Sequence, residues 1–226
     1  LGKPFSDEFS RMKPMSVDFF RDNGTIGLKA TYRSTTFQRL SLVSHVKLYA
    51  EGLIEHWYEI RNLSKDEICD DVWLYNPIFH SLYRAVIPYE GQIVTTDEPV
   101  VQDYEYWESN KVTENWLFSR HDDYAPHGIC WSTDYKVRFD DWYLYFEQHF
   151  KKIAPGGSVQ TKPTFISIGA FQNWQDFQAF ARQKAIPEAI PTSDDVQFSV
   201  NGHNPIVNDT VTAVLKESKS VFLNGD

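Results

Sequence analysis

The feature that most constrains the fold is a two-residue alternation of side-chain character over residues 141–150. Successive side chains of a β-strand point to opposite faces of its sheet, so this pattern predicts a strand with one apolar and one polar-aromatic face. The apolar face would carry Trp142, Leu144, Phe146, Gln148 and Phe150. The opposite face would carry Tyr143, Tyr145, Glu147 and His149. One face can therefore enter a core while the other presents phenols, a carboxylate and an imidazole together.

Comparable strand signals recur along most of the chain. Runs rich in β-branched and aromatic residues are bounded by Gly, Asn, Asp and Pro, which favour turns. The predicted strands cover residues 25–33, 40–50, 53–62, 68–75, 82–87, 115–120, 128–131, 141–150 and 158–169. This succession predicts an all-β protein built as a large antiparallel β-sandwich.

Two turns and one helix interrupt the strands. The dipeptide Glu51-Gly52 predicts a hairpin between two neighbouring strands, and residues 154–157 (Ala-Pro-Gly-Gly) predict a second tight turn. From residue 171 to residue 185 the apolar side chains recur at helical spacing, and Asn173 is placed to cap the first helical turn. We therefore expect one short amphipathic helix near residues 172–185, with its aromatic stripe packed on the sandwich.

The same pattern divides the chain into four parts. Residues 1–24 are expected to form an irregular lead-in, and residues 25–186 the main β-sandwich domain. Residues 187–195 are rich in Pro, Ser, Thr and Asp, a composition typical of a linker. Residues 196–226 are β-rich but too few to build an independent core. They either return to the main sheets or, as we favour, begin a further domain of a longer polypeptide.

Charge and hydropathy argue against several classes of partner. The 22 Lys and Arg residues against 31 Asp and Glu give a net charge of -9, which repels nucleic acid and anionic lipid. No apolar run is long enough to span a bilayer and no secretory leader is visible, which slightly favours a cytoplasmic location. Cys69 and Cys130 lack metal-binding spacing and are expected to be free thiols. We expect no metal and no cofactor.

Three regions carry side chains suited to ligand chemistry. The polar-aromatic face of residues 141–150 can stack on a sugar ring and hydrogen-bond its hydroxyls. The strand over residues 53–62 sets a Trp between two carboxylates, and the loop over residues 118–128 combines His, Asp and Tyr side chains. The predicted ligand-binding residues are Trp57, Glu59, Tyr124, Tyr143, Tyr145, Glu147 and His149, and the catalytic candidates are Glu147, His121 and His127. Such patterns are more commonly explained by side chains that are neighbours across a solvent-exposed sheet and bind no ligand.

A family resemblance rests on three stretches of the sequence. They are residues 56–64 (His-Trp-Tyr-Glu-Ile-Arg-Asn-Leu-Ser), residues 142–147 (Trp-Tyr-Leu-Tyr-Phe-Glu), and the Pro155-Gly156-Gly157 turn before a long strand, followed by Gly169 and the helix of Trp174. Together they resemble the β-supersandwich domains of the galactose-mutarotase-like superfamily, over residues 25–185. The resemblance implies a twisted antiparallel sandwich with a concave, sugar-binding sheet.

The resemblance also implies a form of catalysis. Epimerases of the superfamily use a His and a late-strand Glu as acid and base, and here Glu147 with His121 or His127 is the nearest match. Three functions therefore stay open: a carbohydrate-binding or accessory module of a larger, bacterial polypeptide; a sugar-active enzyme domain of the epimerase or glycoside hydrolase/lyase kind; and a structural spacer with no ligand. We favour the first, with carbohydrate and neighbouring domains as partners and without catalysis.

Overall fold

A computed structural model describes residues 9–79, 84–95, 111–120, 123–139, 143–185, 196–200 and 211–215 of the chain. The chain divides into two compact units, Leu1–Ala185 and Ile186–Asp226. In the second unit, β14 (Val196–Val200) and β15 (Val211–Leu215) pair as an antiparallel hairpin. The linker predicted at residues 187–195 lies outside the described residues.

The first unit is built almost entirely from strands. After a short 3-10 turn at Phe9–Arg11, its elements are β1 (Ser16–Asp22), β2 (Thr25–Arg33), β3 (Leu40–Leu48), β4 (Leu53–Asn62), β5 (Cys69–Phe79), β6 (Ala85–Tyr89), β7 (Gln92–Thr95), β8 (Trp116–Ser119), β9 (His127–Cys130), β10 (Lys136–Phe139), β11 (Tyr143–Ile153), β12 (Ser158–Gln160), β13 (Thr164–Ile168) and helix α1 (Trp174–Ala185). The prediction of an all-β antiparallel sandwich with one short helix is confirmed. No helix among the described residues is long and apolar enough to cross a membrane.

The strands form a large sheet and a small sheet that pack face to face. The large sheet has the order β1-β2-β3-β4-β13-β9-β8-β6-β7, with β12 also beside β4, and the small sheet has the order β10-β11-β5. Their facing sides share two buried apolar clusters. One joins Ile87, Leu117 and Ile129 of the large sheet to Leu144 and Phe146 of the small sheet. The small sheet therefore has one face in the core and one outer face.

A second cluster between the sheets lies around β3, β4 and β5. It joins Leu42 and Ile60 of the large sheet to Cys69 and Ile153 of the small sheet. Cys69 and Cys130 are both buried and unpaired, as expected from the sequence. Burial raises the pKa of the Cys130 thiol to about 12, so this group packs as a small apolar side chain and stays protonated.

The helix covers part of the large sheet on the side away from the small sheet. Phe177 and Ala181 of α1 pack on Trp116, Phe118 and Phe165 of the large sheet. The backbone N–H of Asp176 donates to Asn173 Oδ1 at 2.9 Å, so Asn173 caps the helix as predicted. The amphipathic spacing was therefore a correct sign that this segment packs on a sheet.

One element of the predicted lead-in is regular. Residues 16–22 form β1, which pairs with β2 along its whole length. The turn between them is Asn23-Gly24, with φ of 43° and 82°. A two-residue hairpin turn with positive φ at both positions strongly favours Asn-Gly. The Asn-Gly dipeptide is thus a sequence signal for this hairpin. The prediction of an irregular segment over residues 1–24 did not take it into account.

The predicted strand at residues 158–169 is two strands, β12 and β13, which pair with successive parts of β4. Between β12 and β13 the regular pairing with β4 is interrupted, and Thr161 bonds to Tyr58 instead. Its Oγ1 accepts the backbone N–H of Tyr58 at 2.9 Å, and its own N–H donates to the Tyr58 carbonyl at 2.9 Å. The break coincides with Pro163, which has no backbone N–H to contribute to a ladder. Strands β7 and β10 were not predicted.

The Asn62 side chain links the end of β4 to the segment before β5 and to the end of β11. Its side-chain N–H groups lie within hydrogen-bond distance of the carbonyls of Glu67, Ile153 and Ala154, at 2.7, 3.1 and 3.2 Å. Its Oδ1 accepts the backbone N–H of Ser64. The Asn62-Leu63-Ser64 triplet matches a glycosylation acceptor in sequence, but Asn62 is only 2% exposed and its amide is occupied. The triplet therefore serves the packing of β4 against the turn after β11.

The burial of His56 can be tested through the pH dependence of the free energy of unfolding. Burial lowers the pKa of His56 to about 4, from 6.5. Between these values the unfolded chain binds a proton that the folded chain does not, so stability falls as the pH falls from 6.5 towards 4, by roughly 3 kcal/mol. In His56→Gln this loss should shrink, leaving the contributions of His45, whose pKa burial also lowers, and of the carboxyls of Glu59 and Glu114, whose pKa values are lowered in the fold. Urea unfolding across this pH range measures it, and an unchanged slope would contradict the assignment.

Candidate functional site

The outer face of the small sheet gathers aromatic and ionisable side chains from all three of its strands. The core-facing positions are fixed by Leu144 and Phe146 on β11 and by Val72 and Leu74 on β5. Alternation then directs the intervening side chains outwards, except that Asp71, whose φ of 57° interrupts the regular strand, is placed on this face by its hydrogen bond with His149. We call this outward set the aromatic face: Asp71, Trp73 and Tyr75 on β5, Tyr145, Glu147 and His149 on β11, and Lys136 and Arg138 on β10.

The register of the strands decides which of these side chains meet. Trp73 lies opposite His149 and Tyr75 lies opposite Glu147 across the β5–β11 ladder. On the other side of β11, Arg138 lies opposite Tyr145. Side chains that are directly opposite on one face come within contact distance. The polar-aromatic face predicted for residues 141–150 is therefore flanked by strands that add further aromatic and charged groups.

Trp73 and His149 form the first stack on this face. Their ring centroids are 4.3 Å apart, with an angle of 12° between the ring planes. His149 Nε2 donates to Asp71 Oδ1 at 2.6 Å, so the carboxylate fixes the orientation of the imidazole. Trp73 nevertheless remains 60% exposed. Because the imidazole covers one side of the indole, most of the exposed area belongs to the side turned away from β11.

Tyr75, Tyr145 and Arg138 form the second stack. The tyrosine centroids are 5.4 Å apart, and the Arg138 guanidinium carbon lies 4.5 Å from the centroid of the Tyr145 ring. Arg138 also donates to the Tyr75 hydroxyl at 3.1 Å. Arg138 therefore covers Tyr145, while Tyr75 is 48% exposed. Glu147 stands opposite Tyr75, within electrostatic range of Arg138.

Trp57 and Glu59 lie on a different surface from the aromatic face. Both point from β4 to the side of the large sheet away from the small sheet, because their neighbours Tyr58 and Ile60 face the core. The two sequence-predicted sets of ligand residues are thus on opposite outer faces of the sandwich. A single small ligand cannot contact both.

Around Trp57, the Glu59 carboxylate is engaged by neighbouring side chains, whereas His45 Nε2 is buried without a hydrogen-bond partner. Arg61 donates to both oxygens of Glu59, at 2.7 and 2.8 Å, and these bonds hold the pKa of Glu59 below its usual value against the opposing effect of burial. The His45 ring stacks on Trp57 at 4.8 Å, and His45 Nε2 lies 3.5 Å from Glu59 Oε2, a distance of an ion pair rather than of a close hydrogen bond. Glu59 is 8% exposed. Ligand binding by Trp57 and Glu59 stays a prediction.

Of the loop residues, the structure places His127 in the large sheet. His121 lies outside the described residues, and so does the side chain of Tyr143. Tyr124 is exposed, and His127 begins β9 in the large sheet, where its Nδ1 donates to the Ala125 carbonyl at 3.0 Å. Glu147 points outwards from the small sheet, in the other layer. The structure therefore does not pair Glu147 with His127, and the described residues contain no cluster suited to a metal ion.

The exposed aromatic residues of β5 were missed as site residues by the sequence analysis. The signal was present, since Val72 and Leu74 alternate with Asp71, Trp73 and Tyr75 just as the two faces of β11 do. Only the pairing of β5 with β11 makes the two patterns one surface, and that pairing joins residues far apart in the chain, such as Trp73 and His149.

No protein-family model and no curated protein matches the chain. Solved structures with a similar backbone course include the heparan sulfate lyase HepC from Pedobacter heparinus, at 10% identity and a TM-score of 0.40 over 91% of this chain. A mutant of that lyase gives 10% identity and a TM-score of 0.41 over 90% of this chain. Another is heparinase III, at 9% identity and a TM-score of 0.38 over 88% of this chain.

The chain spans 28% of the length of either HepC chain and 27% of the heparinase III chain. These similarities are too low to assign the chain to a family or an activity. The resemblance to the galactose-mutarotase-like superfamily is not confirmed.

The separation of the two faces of the small sheet can be measured by stability. Phe146 is 1% exposed in the core, so Phe146→Ala should cost about 3–5 kcal/mol of unfolding free energy. Trp73→Ala on the outer face should cost clearly less, about 1–2 kcal/mol, because more than half of the indole stays in water on folding. Urea unfolding of both variants checks the assignment. Similar losses in the two variants would show that Trp73 is a core residue.

Proposed function

We propose that the aromatic face binds carbohydrate, and that the chain acts as a carbohydrate-binding module of a longer polypeptide. The observation that carries this proposal is the exposure of Trp73 and Tyr75 side by side on one strand, at 60% and 48%. Single exposed aromatic side chains occur elsewhere in the chain, but neighbouring ones on one face form an apolar patch of the kind that is typical of a binding surface. A spacer without a ligand would gain nothing from them.

The chemistry of the surrounding groups supports a sugar as the ligand. An open indole face offers apolar contact to the C–H groups of a pyranose ring. Around it stand a carboxylate of Asp71 that can accept hydrogen bonds, the Arg138 guanidinium that can donate them, and the carboxylate of Glu147. Sugars need this combination of a flat apolar surface and a rim of donors and acceptors.

A sugar-active enzyme is the second candidate, favoured by one observation. Asp71 and His149 form an oriented carboxylate–imidazole pair on the aromatic face, with Glu147 two residues away on β11. Such a pair is suited to general base catalysis. The Asp71 side chain is 78% exposed, however, and acid–base chemistry gains most from a site that excludes water. This exposure favours binding without turnover.

The binding proposal is tested with a glycan array followed by calorimetry on the polysaccharides that bind. Trp73→Ala should weaken binding about tenfold or more, since it removes both apolar contact area and aromatic stacking. Phe19→Ala is the matched control, because Phe19 is 74% exposed on β1 of the large sheet. It should leave affinity unchanged. Equal affinity of Trp73→Ala and the parent protein would overturn the proposal.

The same panel separates binding from catalysis. A product released from any bound polysaccharide, together with loss of that product but not of binding in His149→Gln, would establish the enzyme. Binding without product from any member of the panel would leave the binding module as the function.

A further inference from the structure

We infer that the aromatic face binds an internal stretch of a polysaccharide chain lying along β5, rather than a single sugar or a chain end. This inference rests on the proposed function and adds the class of ligand to it. It follows from the arrangement of Asp71, Trp73 and Tyr75 in one line, from the position of their strand in the sheet, and from the open ends of that line.

The two exposed aromatic side chains are consecutive on the outward side of β5. Residues two apart on a strand are separated by about 7 Å and point the same way. Trp73 and Tyr75 therefore offer two stacking surfaces in a row, and the Asp71 carboxylate, which accepts a hydrogen bond from His149, adds a polar group beside Trp73. A ligand that contacts both rings must be longer than one sugar unit, because each ring can occupy the face of a separate pyranose.

β5 is an edge strand of the small sheet within the described residues. On the β11 side, His149 backs Trp73 and Tyr145 backs Tyr75. Among the described residues no strand pairs with the other edge of β5, and the two rings remain 60% and 48% exposed. A ligand can therefore lie along the strand edge without meeting a neighbouring strand of the sheet.

The described side chains at both ends of the line are exposed. The exposed side chains of β5 continue as Asp71 at one end and Pro77 beyond Tyr75 at the other, both at the surface. A site that recognises a chain end needs a pocket to enclose it. An open line allows further sugar units to extend past both rings.

Hydrogen-bonding groups accompany each ring. Beside Trp73 stands the Asp71–His149 pair, which presents carboxylate acceptors, and beside Tyr75 stands the Arg138 guanidinium, a donor. The two sugar positions are thus chemically different. A chain can satisfy the acceptor at one unit and the donor at the next, which a monosaccharide cannot do.

The experiment measures affinity against chain length by calorimetry. The probes are soluble glucan, xylan, mannan and galactan and their oligosaccharides of one to six units. For the polysaccharide that binds, affinity should rise from one unit to about three and then level off, as both rings become occupied. Reducing the terminal sugar of the hexasaccharide to its alditol should leave affinity unchanged, since no chain end is recognised.

Two variants test the separate positions. Trp73→Ala and Tyr75→Ala should each weaken hexasaccharide binding about tenfold, and each should abolish the gain from one added sugar unit. Phe19→Ala again serves as control. A second structural control is Tyr75→Phe, which keeps the ring but loses the bond from Arg138, and should retain most of the affinity.

The outcomes distinguish this inference from the proposed function. Monosaccharide affinity equal to that of the hexasaccharide, loss of binding on reduction of the chain end, or a Tyr75→Ala variant as tight as the parent would each overturn the extended mode while leaving carbohydrate binding intact. Absence of binding to every polysaccharide and oligosaccharide of the panel would overturn both.

Discussion

The candidate site depends on the packing of two side chains that take no part in it. Leu144 and Phe146 are buried between the sheets, where they meet Ile87 and Leu117 of the large sheet. A slip of one residue in β11 would exchange the two faces of the strand and place ionisable groups in the core, at several kcal/mol each. The core therefore fixes which side chains of β11 reach solvent, and it also holds the strand on which the neighbouring β5 is aligned.

The composition of the aromatic face is set by the register of three paired strands, and not by the walls of a pocket. Pairing of β5 with β11 sets Trp73 against His149, and pairing of β10 with β11 sets Arg138 against Tyr145. Each contact is a cross-strand neighbour of the kind that contributes a fraction of a kcal/mol. The main effect of these contacts is to orient the side chains of the face. The stacked partners stand upright on the sheet and leave the β5 rings supported on one side and open on the other.

The sequence predicted β2 and β4 to the residue, because both are bounded by clear turn signals, and it predicted the two faces of β11 from alternation alone. It did not predict the partners of β11. Alternation is a local property of one strand, whereas the neighbour of a strand depends on how the whole chain folds back. Trp73 could be recognised as outward-facing from Val72 and Leu74, but its place beside His149 could not. For the same reason Glu147 and Trp57 looked like parts of comparable sites while standing in different layers.

Comparison of the two tryptophans shows why residue type alone does not identify a binding surface. Both Trp57 and Trp73 stack on a histidine that lies near a carboxylate. At Trp57 the strand is interior to the sheet, with neighbours on both sides, and Arg61 saturates the buried Glu59. At Trp73 the strand is at an edge of its sheet among the described residues, Trp73 is 60% exposed, and the Asp71 carboxylate is largely in solvent. The same pair of side chains is thus internal to the fold in one place and available to a ligand in the other, and the difference is the position of the strand in its sheet.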